Sequence, residues 1–336
     1  MKKIESRYSQ NQKKKVVRKK VNPVIIHNVY QCMKDCCSLS EHHRLSLIRD
    51  RKISLERIEQ DYFTCPTNWR QKDTIIARIK EKYPEYTDEI LMNIPGFFYD
   101  KKRGKLSFTG HKGLGILIRN SDSRIVAIQI RKDTIQEGDS RYIWFSSSFA
   151  TYNPDEYNGG NGCGSPKDVC YPRMLKKHTL CITEGRFKSE KLTESGNINI
   201  SVQGVTSWHG IEETIKHMNG IHNVFIFFDA DILGKHVLFM QSEKMIRKIQ
   251  DEFPGLYIRY AFWSKKNGKG IDDCIIAGNI SKVKYYEAKR AAEICNDAYT
   301  HALGEYHVAN LRELKQERAK EFEDYLQILT ESMLGL

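Results

Sequence analysis

Five consecutive apolar residues, Val224-Phe225-Ile226-Phe227-Phe228, run directly into Asp229-Ala230-Asp231. A run that is apolar at every position fits a strand covered on both faces, and such strands belong to parallel sheets with helices packed on each side. The flanking sequence repeats the rhythm. Leu180-Cys181-Ile182 reads as a strand and Phe187 to Leu192 as the start of a helix. Ile198 to Val202 is a second strand and Ile211 to Met218 a second helix. After the 224–228 strand, a helix from about Lys235 to Asp251 leads to a fourth strand at Leu256 to Ala261. This alternation predicts a compact α/β unit with a parallel sheet over residues 176–281.

In an open parallel sheet, chemically active groups gather beyond the carboxyl ends of the strands. Two strands here end in acid at that edge. The first gives Thr183-Glu184-Gly185 and the third gives Asp229-Ala230-Asp231, while Asp272-Asp273 follows Gly268-Lys269-Gly270 after the fourth. Convergent carboxylates without histidines or paired cysteines form a hard oxygen site suited to Mg2+ or Mn2+. The plainer alternative is that Asp229 and Asp231 cap the next helix. A Glu-Gly step and an Asp-x-Asp pair on strand ends of one unit favour the metal reading.

The rest of the chain divides into segments of different pattern. Residues 1–20 carry nine Lys/Arg against Glu5 alone, +8 of the net +12, so residues 1–22 are expected to form a disordered basic arm able to neutralise phosphates or simply to aid solubility. Residues 23–94 read as a helical module opened by Pro23, with Ser40 and Ser54 as caps and an Ile94-Pro95-Gly96 break. Residues 95–175 are expected to be strand-rich and basic. Short apolar runs at 106–108, 115–118, 125–130 and 142–145 alternate with turn residues, as in an antiparallel sheet. Lys112, Arg119, Arg131, Lys132 and Arg141 lie there beside Trp144 and Phe145, a composition suited to holding a single strand by phosphate contacts and stacking. Residues 282–336 are charged and helical, with Leu311, Leu314, Phe322 and Leu326 on one seam, able to pack on the core or to bind a partner.

Several classes are disfavoured. No apolar run approaches the ~20 residues that span a bilayer, and no signal-peptide core opens the chain, so a cytoplasmic protein with no membrane partner is expected. Nine scattered cysteines do not suit a disulfide framework. Cys32, Cys36 and Cys37 near His42 and His43 lack zinc-finger spacing, and no zinc site is expected. Gly268-Lys269-Gly270 lacks the P-loop pattern but is placed to approach a nucleotide phosphate through Lys269.

The array of Glu184-Gly185, Asp229-Ala230-Asp231 and Asp272-Asp273 resembles the Toprim domain of bacterial primases, topoisomerases and some nucleases. Upstream, Gly113-Leu114-Gly115, Arg124-Ile125-Val126-Ala127, Arg131 and Arg141-Tyr142-Ile143-Trp144-Phe145-Ser146 look like the basic subdomain that precedes Toprim in replicative primases, and Gly204-Val205-Thr206 falls where those carry a Gly-Thr turn. Pro95-Gly96-Phe97, Glu184 to Lys188 and Gly268 to Asp273 are similar to patterns in Toprim-like proteins of phages, plasmids and other mobile elements. The resemblance covers about residues 95–280. It implies a metal held by Glu184, Asp229 and Asp231 as catalytic residues, with Asp272 or Asp273 taking a second ion or the incoming triphosphate. There are two departures. Lys188 stands four residues after the glutamate, where replicative primases usually have an acid, and it is placed to touch a phosphate or to pair with an acid. No N-terminal zinc-binding module is visible.

These readings lead to a primase-like nucleotidyltransferase of a mobile element, making short RNA on single-stranded DNA from ribonucleotides with Mg2+ or Mn2+. The alternatives are a Toprim nuclease using the same acids and a non-catalytic DNA-binding or helicase-loading factor. Without a P-loop in this chain, any replicative helicase partner is a separate protein.

Overall fold

The computed structural model describes residues 21–176 and 178–336. The basic arm therefore lies almost wholly outside the described residues. The N-terminal helices start where capping chemistry places them. Asn22 Oδ1 accepts from Val24 N–H ahead of α1 (Pro23–Asp35), α2 (Glu41–Leu45) follows Ser40, and the Ser54 hydroxyl accepts from Arg57 N–H in α3 (Leu55–Asp61). The chain then forms β1 (Tyr62–Thr64), α4 (Trp69–Lys82), α5 (Asp88–Leu91), β2 (Phe97–Asp100), β3 (Lys105–Phe108), β4 (Gly113–Arg119), β5 (Ile125–Lys132) and β6 (Tyr142–Trp144). A short α6 (Phe149–Tyr152), β7 (Tyr157–Gly159) and β8 (Asp168–Cys170) complete the first half.

The antiparallel strands form two sheets rather than the single one expected. One has the order β1-β4-β5-β6 and the other β3-β2-β7. The segment expected to be a wholly helical module supplies β1, which pairs with β4. The reason is packing: Phe63 on β1 lies against Gly115, where a side chain on β4 would collide with its ring. Gly96 makes the turn from the helices into β2 with φ +91°, and any Cβ there would meet the Phe145 ring at 2.0 Å.

The second half is the parallel unit. β9 (Thr179–Thr183), α7 (Arg186–Thr193), β10 (Ile198–Ser201), α8 (Ile211–Lys216), β11 (Asn223–Phe227), α9 (His236–Glu252), β12 (Tyr257–Phe262) and α10 (Ile271–Ile276) alternate as the pattern predicts. The six-stranded sheet has the order β13-β12-β11-β9-β10-β8, with its four central strands parallel and both edges antiparallel. One edge, β8, comes from the segment assigned to the strand-rich region. The other, β13 (Lys284–Glu287), comes from the segment read as C-terminal helices. Leu180, Ile182, Val224, Ile226 and Ile258 fill one face of this sheet, and Cys181, Phe227 and Ala261 fill the other.

The C-terminal helices α11 (Ala288–Glu305) and α12 (Gln316–Met333) pack on the core. Ala291, Ile294 and Cys295 of α11 join the main core cluster, while Phe322 and Leu326 of α12 pack with Ala298 and Ala302, flanked by Leu311 and Leu314. No helix among the described residues is long and apolar enough to cross a membrane.

A buried ionic network joins the two halves. Arg186, 3% exposed, donates from Nε to Glu190 Oε1 at 2.7 Å and from Nη1 to both Asp168 oxygens and to Leu117 O at 3.1 Å, while its Nη2 pairs with Asp61. Arg119 Nε also donates to Asp61, at 2.7 Å. One side chain of α7 thus fastens α3, β4 and β8 to the helix that leaves the parallel sheet.

Candidate functional site

Thr183 at the end of β9 pairs in register with Phe227 of β11, so the next residues on each strand are neighbours at the carboxyl edge. Glu184 Oε1 accepts the Asp229 backbone N–H at 3.0 Å. Ala230 N–H donates to Lys269 O at 2.9 Å, tying the Asp-x-Asp turn to the loop before α10. Gly204 faces the same edge with φ +118°, a conformation that favours glycine, and its N–H donates to Glu184 O at 3.0 Å. All five acids singled out from sequence therefore lie around the ends of β9, β11 and β12.

Cations come within 4.0 Å of four of them, Glu184 being the exception among the described ion pairs. Lys188 Nζ is 2.7 Å from Asp229 Oδ1, and Lys235 donates to Asp231 Oδ2 at 2.8 Å. Lys269 Nζ lies 3.7 Å from Asp231 and 4.0 Å from Asp229. Arg51, from the N-terminal helices, donates to Asp272 Oδ2 at 2.9 Å and lies 3.9 Å from Asp273 while resting on the Phe187 ring. Burial, then the neighbouring Asp229 charge, raises the Glu184 pKa. Asp272 is raised by burial and by Asp273, against the pull of Lys188 and Arg51. Burial would raise Asp231 as well, but Lys235, Lys269 and Lys265 outweigh it and hold this carboxyl below its ordinary range. Burial would lower Lys188, yet Asp229 and Glu184 outweigh it and keep the ammonium charged.

Four of the five acids line a cleft of about 690 Å³, and Asp231 stands outside its lining. One wall is Glu184, Lys188, Asp229, Lys269, Asp272 and Asp273; the facing wall is Gln129, Arg141, Tyr142 and Trp144 of the antiparallel sheet. The basic residues expected to hold nucleic acid separate accordingly. Arg141 lines the cleft and is exposed. Arg131 sits on the same face of β5 as Gln129, two residues along, and its Nε is buried without a hydrogen bond. Lys132 points to the other face and pairs with Asp139 at 2.7 Å. Lys112 is exposed beside the start of β4. Arg119 is the exception: it stands seven residues from Lys112, roughly 23 Å along the strand, and is committed to Asp61 and the Ser123 carbonyl. Phe145, expected to stack, is 1% exposed in the core, whereas Trp144 lines the cleft together with Tyr142 and Phe187.

Sequence reasoning missed three supports. Arg51 carries no local signal within Arg49-Asp50-Arg51-Lys52. Arg186, in the first turn of α7, carries no local signal either. Gln327 on α12 donates to Ala230 O at 3.0 Å and accepts from Gly234 N–H at 2.9 Å, clamping the Asp231 loop from 97 residues away in sequence. His42 and His43 gather with Asp133, not with the cysteines, and His43 also hydrogen bonds the Thr64 hydroxyl.

Residues 173–281 match a family model described as a domain of unknown function, DUF3854, and no curated protein matches the chain by sequence. Solved structures are similar at low identity. The Aquifex aeolicus primase, comprising zinc-binding and RNA polymerase domains, aligns with TM-score 0.54 and 11% identity over 94% of this chain and 76% of that one. The RNA polymerase domain of Mycobacterium tuberculosis primase DnaG aligns with TM-score 0.54 and 14% identity over 92% and 99%. A DnaG primase catalytic domain bound to single-stranded DNA aligns with TM-score 0.50 and 14% identity over 94% and 98%. The chain has the mixed α/β fold of the DnaG-type primase catalytic core.

Proposed function

We propose that this chain is a Toprim-type, primase-like nucleotidyltransferase that joins ribonucleotides on a single-stranded DNA template. The observation that carries the reading is the cleft itself: Glu184, Asp229 and the 272–273 acids on one wall face Arg141 and Trp144 on the other. A surface that holds a strand against the acids serves a template-directed polymerase and a nuclease alike, and the fold shared with primase catalytic cores favours the polymerase. The similar catalytic domain bound to single-stranded DNA supports that choice.

The donor set suits a hard divalent cation. Asp229 Oδ1 pairs with Lys188 at 2.7 Å, its Oδ2 is met only at 4.0 Å by the exposed Lys269, and the half-buried Glu184 sits beside the Asp229 charge. Glu184, Asp229 and Asp231 would hold Mg2+ or Mn2+, which when bound would ease attack of a 3′-hydroxyl on an α-phosphate and release of pyrophosphate. The remaining roles belong to the chain. Arg141, with Arg131 behind it, would take backbone phosphates, and Trp144 and Tyr142 would stack bases without sequence preference. Lys269, exposed at the rim, would meet the triphosphate. Lys112 would extend the basic track beyond the start of β4, while Lys132, on the other face of β5 and paired with Asp139, and Arg119 have no part in it.

The test is one reaction with single-stranded DNA, labelled ribonucleotides and Mg2+ or Mn2+, run beside Asp229→Ala/Asp231→Ala. New short oligomers that vanish in the double variant are expected. A shortened template would move the assignment to a nuclease. An intact template with no product, alongside undiminished DNA binding, would move it to a loading factor that works with a separate helicase.

A further inference from the structure

Resting on the metal-dependent reading above, we infer that Lys188 and Arg51 take the place of a second metal ion, so that the site holds a single divalent cation. Around the three strand ends, five carboxylates (Glu184, Asp229, Asp231, Asp272, Asp273) have four side-chain cations within 4.0 Å among the described residues (Lys188, Lys235, Lys269, Arg51), with Lys265 farther out. One negative charge is left uncompensated. A single divalent ion turns this into an excess of one positive charge, enough to attract a triphosphate. A second would leave an excess of three before any nucleotide arrived, at close range and partly out of water, where like charges repel strongly.

Geometry gives the same answer. The Lys188 ammonium is 2.7 Å from Asp229 Oδ1, and its side chain is only 18% exposed. It lies in a slot that exists because Gly270 has no side chain: a Cβ there would sit 2.8 Å from Lys188 Cε and 2.4 Å from Asp272 Oδ1. Lys188 therefore fills the space between Asp229 and Asp272, where an ion bridging the Asp-x-Asp turn and the 272–273 acids would have to lie. Arg51 closes the outer side at 2.9 Å from Asp272 and is held there by the Phe187 ring. Both cations are parts of the fold, from α7 and the N-terminal helices, and neither is a flexible surface charge. Glu184, Asp229 Oδ2 and Asp231 are left for the single ion, with the exposed Lys269 and Lys235 beside them.

The experiment is a Mn2+ titration of the full chain, with free Mn2+ followed by electron paramagnetic resonance and folding checked by thermal melting. The wild type is expected to saturate at one Mn2+ per chain. Lys188→Gln is expected to saturate at two and to show the broadened, spin-coupled signal of neighbouring ions, and Arg51→Gln to admit a second, weaker ion even if Lys188→Gln does not fold. A wild-type stoichiometry of two overturns the inference and leaves the metal-dependent reading standing. Folded variants that remain at one also overturn it. No binding by the wild type overturns the metal-dependent reading itself, and the inference with it.

Discussion

Replacing Arg186 with methionine removes the one side-chain cation among the described residues that pairs with Asp168. That carboxylate, fully buried, would keep only the Arg119 backbone N–H at 3.0 Å. Asp61 would retain Arg119 at 2.7 Å and Glu190 would retain Arg57 at 3.5 Å, so the deficit falls on a single group. Burial already raises the Asp168 pKa with Arg186 in place. Breaking a buried pair from one side costs roughly 3–5 kcal/mol, a large share of the about 5–15 kcal/mol that holds a domain folded. With a urea slope of about 3 kcal/mol per molar, the midpoint should fall by roughly 1–1.7 M. The assay is urea unfolding followed by circular dichroism. Adding Asp168→Asn to Arg186→Met should recover part of the loss, because a neutral amide tolerates the site better than an unpaired charge. A loss under about 1 kcal/mol, or a further loss on adding Asp168→Asn, would refute the view that this network fastens the two halves.

Other outcomes follow from single contacts. Gln327→Leu should cost about 1–3 kcal/mol by orphaning Ala230 O and Gly234 N–H; faster hydrogen exchange confined to residues 229–235 would show the clamp released, and unchanged exchange would count against it. Gly96→Ala should cost about 3 kcal/mol, roughly 1 from left-handed backbone and about 2 from overpacking against Phe145; a melting temperature equal to wild type would contradict this. Burial pushes the His236 pKa down to about 4, below the about 6.5 of an unfolded chain. The unfolded state then binds the extra proton between these values, so stability should fall as pH drops from about 6.5 to about 4 and level off below. The ring is partly solvated, which reduces the effect to about 1–2 kcal/mol. His236→Phe, which can keep the stack on Tyr299, should flatten that slope in a pH series of urea midpoints.

Local pattern carried the parallel unit. The 224–228 run, with no polar position, fits a strand covered on both faces, and β11 lies at the centre of the sheet between β9 and β12. Because strand ends of such a sheet share one edge, the neighbourhood of Glu184 and Asp229 was legible from spacing alone. The antiparallel half was less legible. Tyr62–Thr64 is three residues long, too short to display alternation against the helical pattern around it, and its identity as β1 comes from pairing with Leu114 and Ile116, fifty or more residues later.

The alternating strands and helices, and the acids that end two of those strands, determined the architecture and the place of the site, since both follow from periodicities of a few residues. Only the tertiary structure decided what surrounds the acids. Arg51 meets Asp272 across 221 residues, Arg186 meets Asp61 across 125, and Gln327 meets Ala230 across 97. Arg119, which composition placed with the cleft-lining cations, is instead drawn into the buried network by Asp61. A charged side chain carries no local mark of its partner, because electrostatic and hydrogen-bond pairing acts through space, and the space exists only once the two halves have closed on each other.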